Sequence, residues 1–143
     1  MTTLKMKPQC KQESNDGIDT LIQLFYRSFN NKDYQVNLQC LEDLFCPEAV
    51  IINHNNTPIK VNEFQTFITP RQKMFDDGKI VDFLEWESAA TTQVFGNIAQ
   101  RMSRYGKSGF INGECIDSRG SKLFQLMRIN DSWKIVALSW IDD

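Results

Sequence analysis

Few side chains in this sequence combine a reactive type with a suggestive spacing. The single histidine, His54, follows an apolar run in AVIINHNN, residues 49–56, and stands among Asn53, Asn55 and Asn56. An imidazole at the end of a strand is a natural candidate for proton transfer near neutral pH. No other cluster announces a chemistry. The sequence contains no phosphate-cradling glycine loop and no G-x-S-x-G nucleophile turn. Cys10, Cys40, Cys46 and Cys115 form no C-x-x-C pair, and one histidine does not complete a zinc tetrahedron around them. Free thiols are expected, with no metal and no cofactor. The N-x-[ST] matches at Asn55 and Asn130 occur at chance level.

The elements that would hold His54 follow from periodicity. Residues 1–15 are polar and unpatterned, and predict a flexible tail before one domain over 16–143. Ile18, Leu21, Ile22, Phe25 and Phe29 recur at helical spacing after Asn15 or Asp16 as N-cap, predicting a helix to about Asn31. Leu38, Leu41, Leu44 and Phe45 predict a shorter second helix ended by Pro47. The β-branched run Val50–Ile52 predicts a strand, followed by a turn at Asn55 to Pro58. Val61, Phe64, Phe67 and Ile68 mark a third helix, with Asn62 as cap, a kink or break at Pro70 and a stop at Asp77-Gly78. Strands are then expected over 80–92, 94–106, 120–130 and 133–142, the last two joined by a turn at Asn130-Asp131-Ser132. The stretch 107–120 predicts a long mobile connection or an extra small hairpin.

Composition narrows the function classes. The chain has 143 residues, a formal charge of −2 and no run of five basic residues, which argues against nucleic-acid binding. No apolar stretch suits a leader or a membrane span, so a cytoplasmic location without a membrane partner is expected. Helices followed by antiparallel strands predict an α+β architecture.

The second helix running into FCPEAVII, the strand FGNIAQRMSRYG and the terminal KLFQLMRINDSWKIVALSW together resemble the nuclear transport factor 2-like superfamily, also called the ketosteroid-isomerase-like fold. The resemblance covers about residues 16–143 and implies a cone-shaped α+β barrel, three N-terminal helices packed on a strongly curved, mainly antiparallel sheet. It implies a cavity between helices and sheet, and dimerisation through the other sheet face. The isomerase branch uses a tyrosine, a carboxylate base and a second, protonated acid. Alignment places Phe25, Asn53 and Gln125 at those positions, so that chemistry is disfavoured. Tyr26 lies one residue away, about 100° around the helix. If Ile51 and Asn53 face the cavity, alternation turns Ile52 and His54 away.

The same alignment puts Trp86 and Ser88, then Arg101, Ser103 and Tyr105, then Leu123, Gln125 and Met127, then Val136, Leu138 and Trp140 on the inner face. The pocket candidates are therefore Phe25, Asn53, Trp86, Arg101, Ser103, Tyr105, Gln125 and Trp140. Arg101 would need a carboxylate such as Asp82 or Asp142, or an anionic ligand. The outer face would carry Glu85, Glu87, Gln100, Met102, Arg104, Phe124, Leu126, Arg128, Ile135 and Ile141, with Glu85 or Glu87 of one subunit meeting Arg104 or Arg128 of a homodimer mate. Three functions remain in competition. They are binding of a small apolar or carboxylate-bearing ligand, an isomerase, cyclase or dehydratase using Tyr105, His54 or Asp142, and a dimeric interaction module.

Overall fold

The apolar spacing near the start of the chain folds into α1, Ile18–Arg27, which buries Ile18, Leu21, Ile22, Phe25 and Tyr26 but ends before the expected limit near Asn31. Ser28 closes it by donating its hydroxyl to Leu24 O at 2.7 Å. The computed structural model describes residues 5–6 and 17–143. Within the expected tail only residues 5–6 are described, where Met6 N–H donates to Asp33 O and Met6 O accepts from Gln35 N; the caps Asn15 and Asp16 and Cys10 lie outside the described residues. Leu38–Leu44 is a 3-10 helix, capped by the Asn37 side chain on Gln39 N. The helical stretch stops before Pro47, which instead sits inside β1, Phe45–Asn53, where the pairing slips between Phe45 and Val50. A proline fits such an irregular position because no ladder hydrogen bond is demanded of it. A short β2, Lys60–Asn62, follows, so Asn62 ends a strand and Glu63 is the N-cap of α2, Phe64–Asp76. Pro70 lies within α2 without breaking it.

The remaining chain is β3, Ile80–Phe95, β4, Ile98–Ile111, β5, Glu114–Ile129, and β6, Ser132–Asp142. They complete an open sheet of order β2-β1-β6-β5-β4-β3. Every pairing is antiparallel except β1 with β6. The helices pack on it, and one aromatic-rich core links Phe25, Phe64 and Phe67 of the helices to Phe45, Phe124, Leu138 and Trp140 of the sheet. Residues 107–120 are neither loose nor a separate hairpin. They are the ends of β4 and β5, joined by a tight turn at Asn112 and Gly113, whose φ values of 52° and 80° suit a two-residue hairpin. Asn130 and Asp131 make the corresponding turn between β5 and β6.

Strict alternation fails at three places, and each failure moves named side chains. In β3 the register slips between Val81 and Leu84, with Asp82 at φ 50°, and again between Glu87 and Ala89. Ile80 and Phe83 are consequently both buried, three residues apart, and Glu85 and Glu87 turn inward rather than onto the outer face. In β6 the slip leaves Val136 without a partner between Ile135 and Ala137, so Ile135 and Trp133 are the buried residues. On β5 the parity is opposite to that expected. Phe124 pairs with inward Arg101, and Phe124 and Leu126 are core residues rather than dimer-face residues, while Leu123, Gln125 and Met127 are exposed.

A bulge frees backbone groups that burial then penalises. Here Asn31 satisfies them. Its side chain donates to Ile80 O at 2.7 Å and accepts from Phe83 N at 2.5 Å, while its own N–H donates to Phe83 O at 3.1 Å. Two close cross-strand approaches fix ring positions as well. Tyr105 lies over Gly120 so closely that a Cβ there would collide with the phenol, and Trp86 covers Gly106, where a Cβ would stand 2.5 Å from the indole.

Cys40 is disulfide-bonded, which corrects the expectation of four free thiols; Cys46 and Cys115 are free. Disulfides are commonest in oxidising compartments, so the cysteines add nothing to the expected cytoplasmic location. Among the described residues no helix is long and apolar enough to cross a membrane.

Replacing Asn31 by Leu should strand the Ile80 carbonyl and the Phe83 N–H, at a cost of roughly 2–4 kcal/mol. Urea unfolding monitored by circular dichroism reads this as a lower midpoint. An unchanged midpoint would mean that the bulge needs no clamp.

Candidate functional site

A cavity of about 370 Å³ lies between α1, α2 and the sheet, within the size range of small-molecule sites. Its walls are apolar, with Phe25 and Phe29 from the α1 region, Phe67 and Met74 from α2, and Phe83 and Trp140 from β3 and β6. Four charged side chains interrupt this lining: Arg71, Glu85, Lys107 and Lys122. Each is compensated to a different degree, and that difference decides what the site can do.

Lys122, projecting from β5 opposite Ser103, is buried with its Nζ 2.7 Å from Glu85 Oε1. The contact is an ion pair without the alignment of a directed hydrogen bond, and Glu85 Oε1 has no other partner. Four rings surround the ammonium. Its nitrogen lies 4.0 Å from the Tyr105 centroid, 5.1 Å from Trp140, 5.8 Å from Tyr26 and 6.0 Å from Phe25. Burial lowers the Lys122 pKa, and the Glu85 charge only partly restores it.

Lys107 is held differently. It stands 3.0 Å from Asp142 Oδ2, while the Tyr105 hydroxyl donates to Asp142 Oδ1. Burial opposes the Asp142 charge, but the bonds from Tyr105 and Lys107 outweigh it and keep this carboxyl below its ordinary pKa. Burial and the adjacent carboxylate both push the Tyr105 phenol well above its ordinary value, which makes it a donor and not a base. Asn53 and Asn55 buttress the same corner. Asn55 Oδ1 accepts from Asp142 N at 2.7 Å, and Asn53 Oδ1 accepts from Asn55 N at 2.9 Å.

Arg71 has no carboxylate within ion-pair distance among the described residues. One of its N–H groups donates to Phe67 O at 2.9 Å, and its guanidinium carbon lies 4.1 Å from the Phe67 centroid and 5.7 Å from that of Trp140. Burial lowers its pKa to about 10, with only the Glu85 charge acting in the other direction.

Arg101 belongs to a separate network beside the cavity. Its Nε donates to Glu87 Oε2 at 3.0 Å and its NH2 group pairs with Glu87 Oε1, while NH1 reaches Asp19 Oδ1 at 2.6 Å and Thr92 Oγ1 at 3.1 Å. Ser103 Oγ donates to Glu87 Oε2 at 2.6 Å, so its one proton is committed and Tyr26 is the donor in the 2.7 Å Tyr26–Ser103 bond. Burial disfavours the Arg101 charge, but Glu87 and Asp19 together hold its pKa above the ordinary value.

No protein-family model and no curated protein sequence matches the chain, whereas solved structures do. A protein of this kind from Cytophaga hutchinsonii, described as NTF2-like, superposes with TM-score 0.68 at 15% identity, covering 92% of this chain and 100% of the other. The fold is that of the nuclear transport factor 2-like proteins. A Xanthomonas campestris structure, provisionally named a calcium/calmodulin-dependent protein kinase II association domain, gives TM-score 0.66 at 12% identity over 98% of this chain and 96% of that one. A provisionally named ketosteroid isomerase from Shewanella frigidimarina gives 0.66 at 15% identity over 90% and 96%.

Within this nuclear transport factor 2-like fold, Phe25, Asn53 and Trp140 line the cavity. Arg101, Ser103 and Tyr105 point inward but are spent in the networks just described, Arg101 on Glu87 and Asp19 rather than on Asp82, Asp142 or a ligand. Trp86 and Gln125 are exposed on the other side of the sheet, the first displaced by the bulge at Asp82 and the second by the β5 register. Glu85 and Glu87 face inward, and of the remaining dimer-face candidates Arg104 is held by Asp143 and Ser121 while Arg128 faces Asp131. His54 is exposed and does not line the cavity; its backbone N–H donates to Trp140 O. Arg71, Lys107, Lys122 and Glu85 are the cavity residues that alternation alone missed. Among the described residues no group of three or more His, Cys, Asp or Glu side chains is placed to hold a metal ion.

Lys122→Met should cost about 3–5 kcal/mol by leaving the Glu85 carboxylate buried and unpaired, and the double change Lys122→Met with Glu85→Leu should recover most of the loss. Chemical denaturation of the wild type and both variants checks this. A neutral single variant would show that the pair is hydrated rather than desolvated.

Proposed function

We propose that the protein binds a small, mainly apolar or aromatic anion, a carboxylate above all, in the cavity between the helices and the sheet. One observation carries this reading. Arg71 presents a half-buried guanidinium to a largely apolar cavity with no carboxylate within ion-pair distance among the described residues, whereas Lys122 has Glu85 and Lys107 has Asp142. A guanidinium suits this role because its planar fork offers several donors to one carboxylate. The aromatic walls supply contact area, and the free donors of Arg71 supply orientation. The isomerase reading has less support, because Asn53 stands where a carboxylate base is needed and Gln125 lies outside the cavity.

An uncompensated buried charge weakens the empty protein and strengthens its ligand complex. Arg71→Met should therefore leave the unliganded protein as stable as before or raise its stability by on the order of 1 kcal/mol. The same change should weaken binding of benzoate-type ligands by at least roughly tenfold, as expected for loss of a charge-assisted hydrogen bond. Isothermal titration and thermal unfolding read both effects. Neutral analogues binding as tightly as the carboxylates would remove the proposal.

The outer sheet face favours a homodimer as the form that carries this cavity. Trp86, Met102, Leu123 and Ile141 are all well exposed there, with Met102 and Leu123 directly opposite each other across β4 and β5. Contiguous exposed apolar residues on one sheet face suit a self-complementary contact, and two structural neighbours are named as association domains. Leu123→Lys should shift sedimentation from a dimer to a 16.6 kDa species. A wild-type chain sedimenting as monomer at micromolar concentration excludes the contact.

A further inference from the structure

The Lys122–Glu85 pair is unused by simple anion binding. A buried ion pair contributes little to stability compared with apolar residues of similar volume, so its place in a ligand cavity calls for a chemical reason. We propose that Lys122 forms an imine with a carbonyl-bearing ligand, so that, combined with Arg71, the cavity takes oxo acids: small molecules with an aldehyde or ketone carbon and a carboxylate. The carboxylate half rests on the anion-binding reading above; the imine half does not.

Three features of the geometry support this. Lys122 and Glu85 both line the cavity. Glu85 Oε1 stands 2.7 Å from the Lys122 nitrogen, close enough to exchange a proton with it. Arg71 and Lys122 lie 5.7 Å and 5.1 Å from the centroid of the same Trp140 ring, so both cations border one part of the cavity. Lys107 is a poorer candidate because Asp142 holds it and is itself fixed by Tyr105. Burial lowers the Lys122 pKa and so favours its neutral amine, as desolvation does for other nucleophilic lysines.

The step balances without an added oxidant or reductant. Glu85 takes one proton from the ammonium, and the Nζ lone pair forms the C–N bond while the carbonyl π pair moves to oxygen. That oxygen receives the proton back from Glu85 to give a carbinolamine. Loss of a second proton from nitrogen and departure of the hydroxyl as water leave the C=N bond, with one water released per imine formed.

Incubation with 4-carboxybenzaldehyde and sodium cyanoborohydride, followed by peptide mass mapping, tests the assignment. Lys122 should carry the reduced adduct and label at least tenfold faster than the exposed Lys60 and Lys79. Lys122→Arg, which keeps the buried charge, should abolish the fast labelling, and Glu85→Gln should slow it. Adducts spread over exposed lysines with Lys122 unlabelled would overturn the inference. If 4-methylbenzoate binds in that case, the anion-binding reading survives alone. Equal labelling by benzaldehyde would leave the imine standing and remove the carboxylate reading instead.

Discussion

The arrangement of charge in this protein depends on how one asparagine holds one bulge. Asn31 bonds Ile80 O and both backbone groups of Phe83, and so makes tolerable the extra residue at Asp82. Without that extra residue the phase of β3 would place Glu85 and Glu87 on the outer face. With it, Glu87 meets Arg101 and Glu85 meets Lys122 inside the fold. The bulge and its clamp thus do more than bend a strand: they supply carboxylates to two buried cations that would otherwise be too costly to keep.

These pairs divide the interior into two regions of different purpose. The Asp19–Arg101–Glu87–Ser103–Tyr26 chain is saturated with hydrogen bonds and ties α1 to β3 and β4. Its rigidity follows from mutual satisfaction, since Arg101 makes four hydrogen bonds and both the Ser103 and Tyr26 hydroxyls have acceptors. The region around Trp140 is less complete. Arg71 has no carboxylate within ion-pair distance among the described residues, and a cation left without an acid beside an apolar hollow is open to an anionic ligand.

Much of the fold was legible in the sequence because its elements obey simple periods. The i, i+3, i+4 spacing of Ile18, Leu21, Ile22 and Phe25 marked α1, and the inward set Arg101, Ser103 and Tyr105 on β4 was correctly phased. The segment SKLFQLMRI misled because either parity offers apolar residues: Leu123, Met127 and Ile129 on one side, Phe124 and Leu126 on the other. The deciding signal lay in the Asn112-Gly113 turn. A two-residue turn there pairs Ile111 with Glu114, and counting back along the hairpin sets Lys122 opposite Ser103. Treating residues 107–120 as a loose connection discarded that register, and with it the buried lysine. The bulge at Asp82 was not readable, because its stability comes from a distant partner, Asn31, and not from local residue type.

The three tryptophans end up in three distinct surroundings. Trp133 is buried at the end of β6, Trp140 forms part of the cavity wall beside two cations, and Trp86 lies on the outer face across the bare Gly106 backbone. Their intrinsic fluorescence is therefore spatially resolved. Quenching by a dissolved iodide or acrylamide falls chiefly on Trp86 and reports what covers the outside of the sheet, while a molecule entering the hollow perturbs the emission of Trp140. One unlabelled chain thus carries separate optical reporters for assembly and for occupancy.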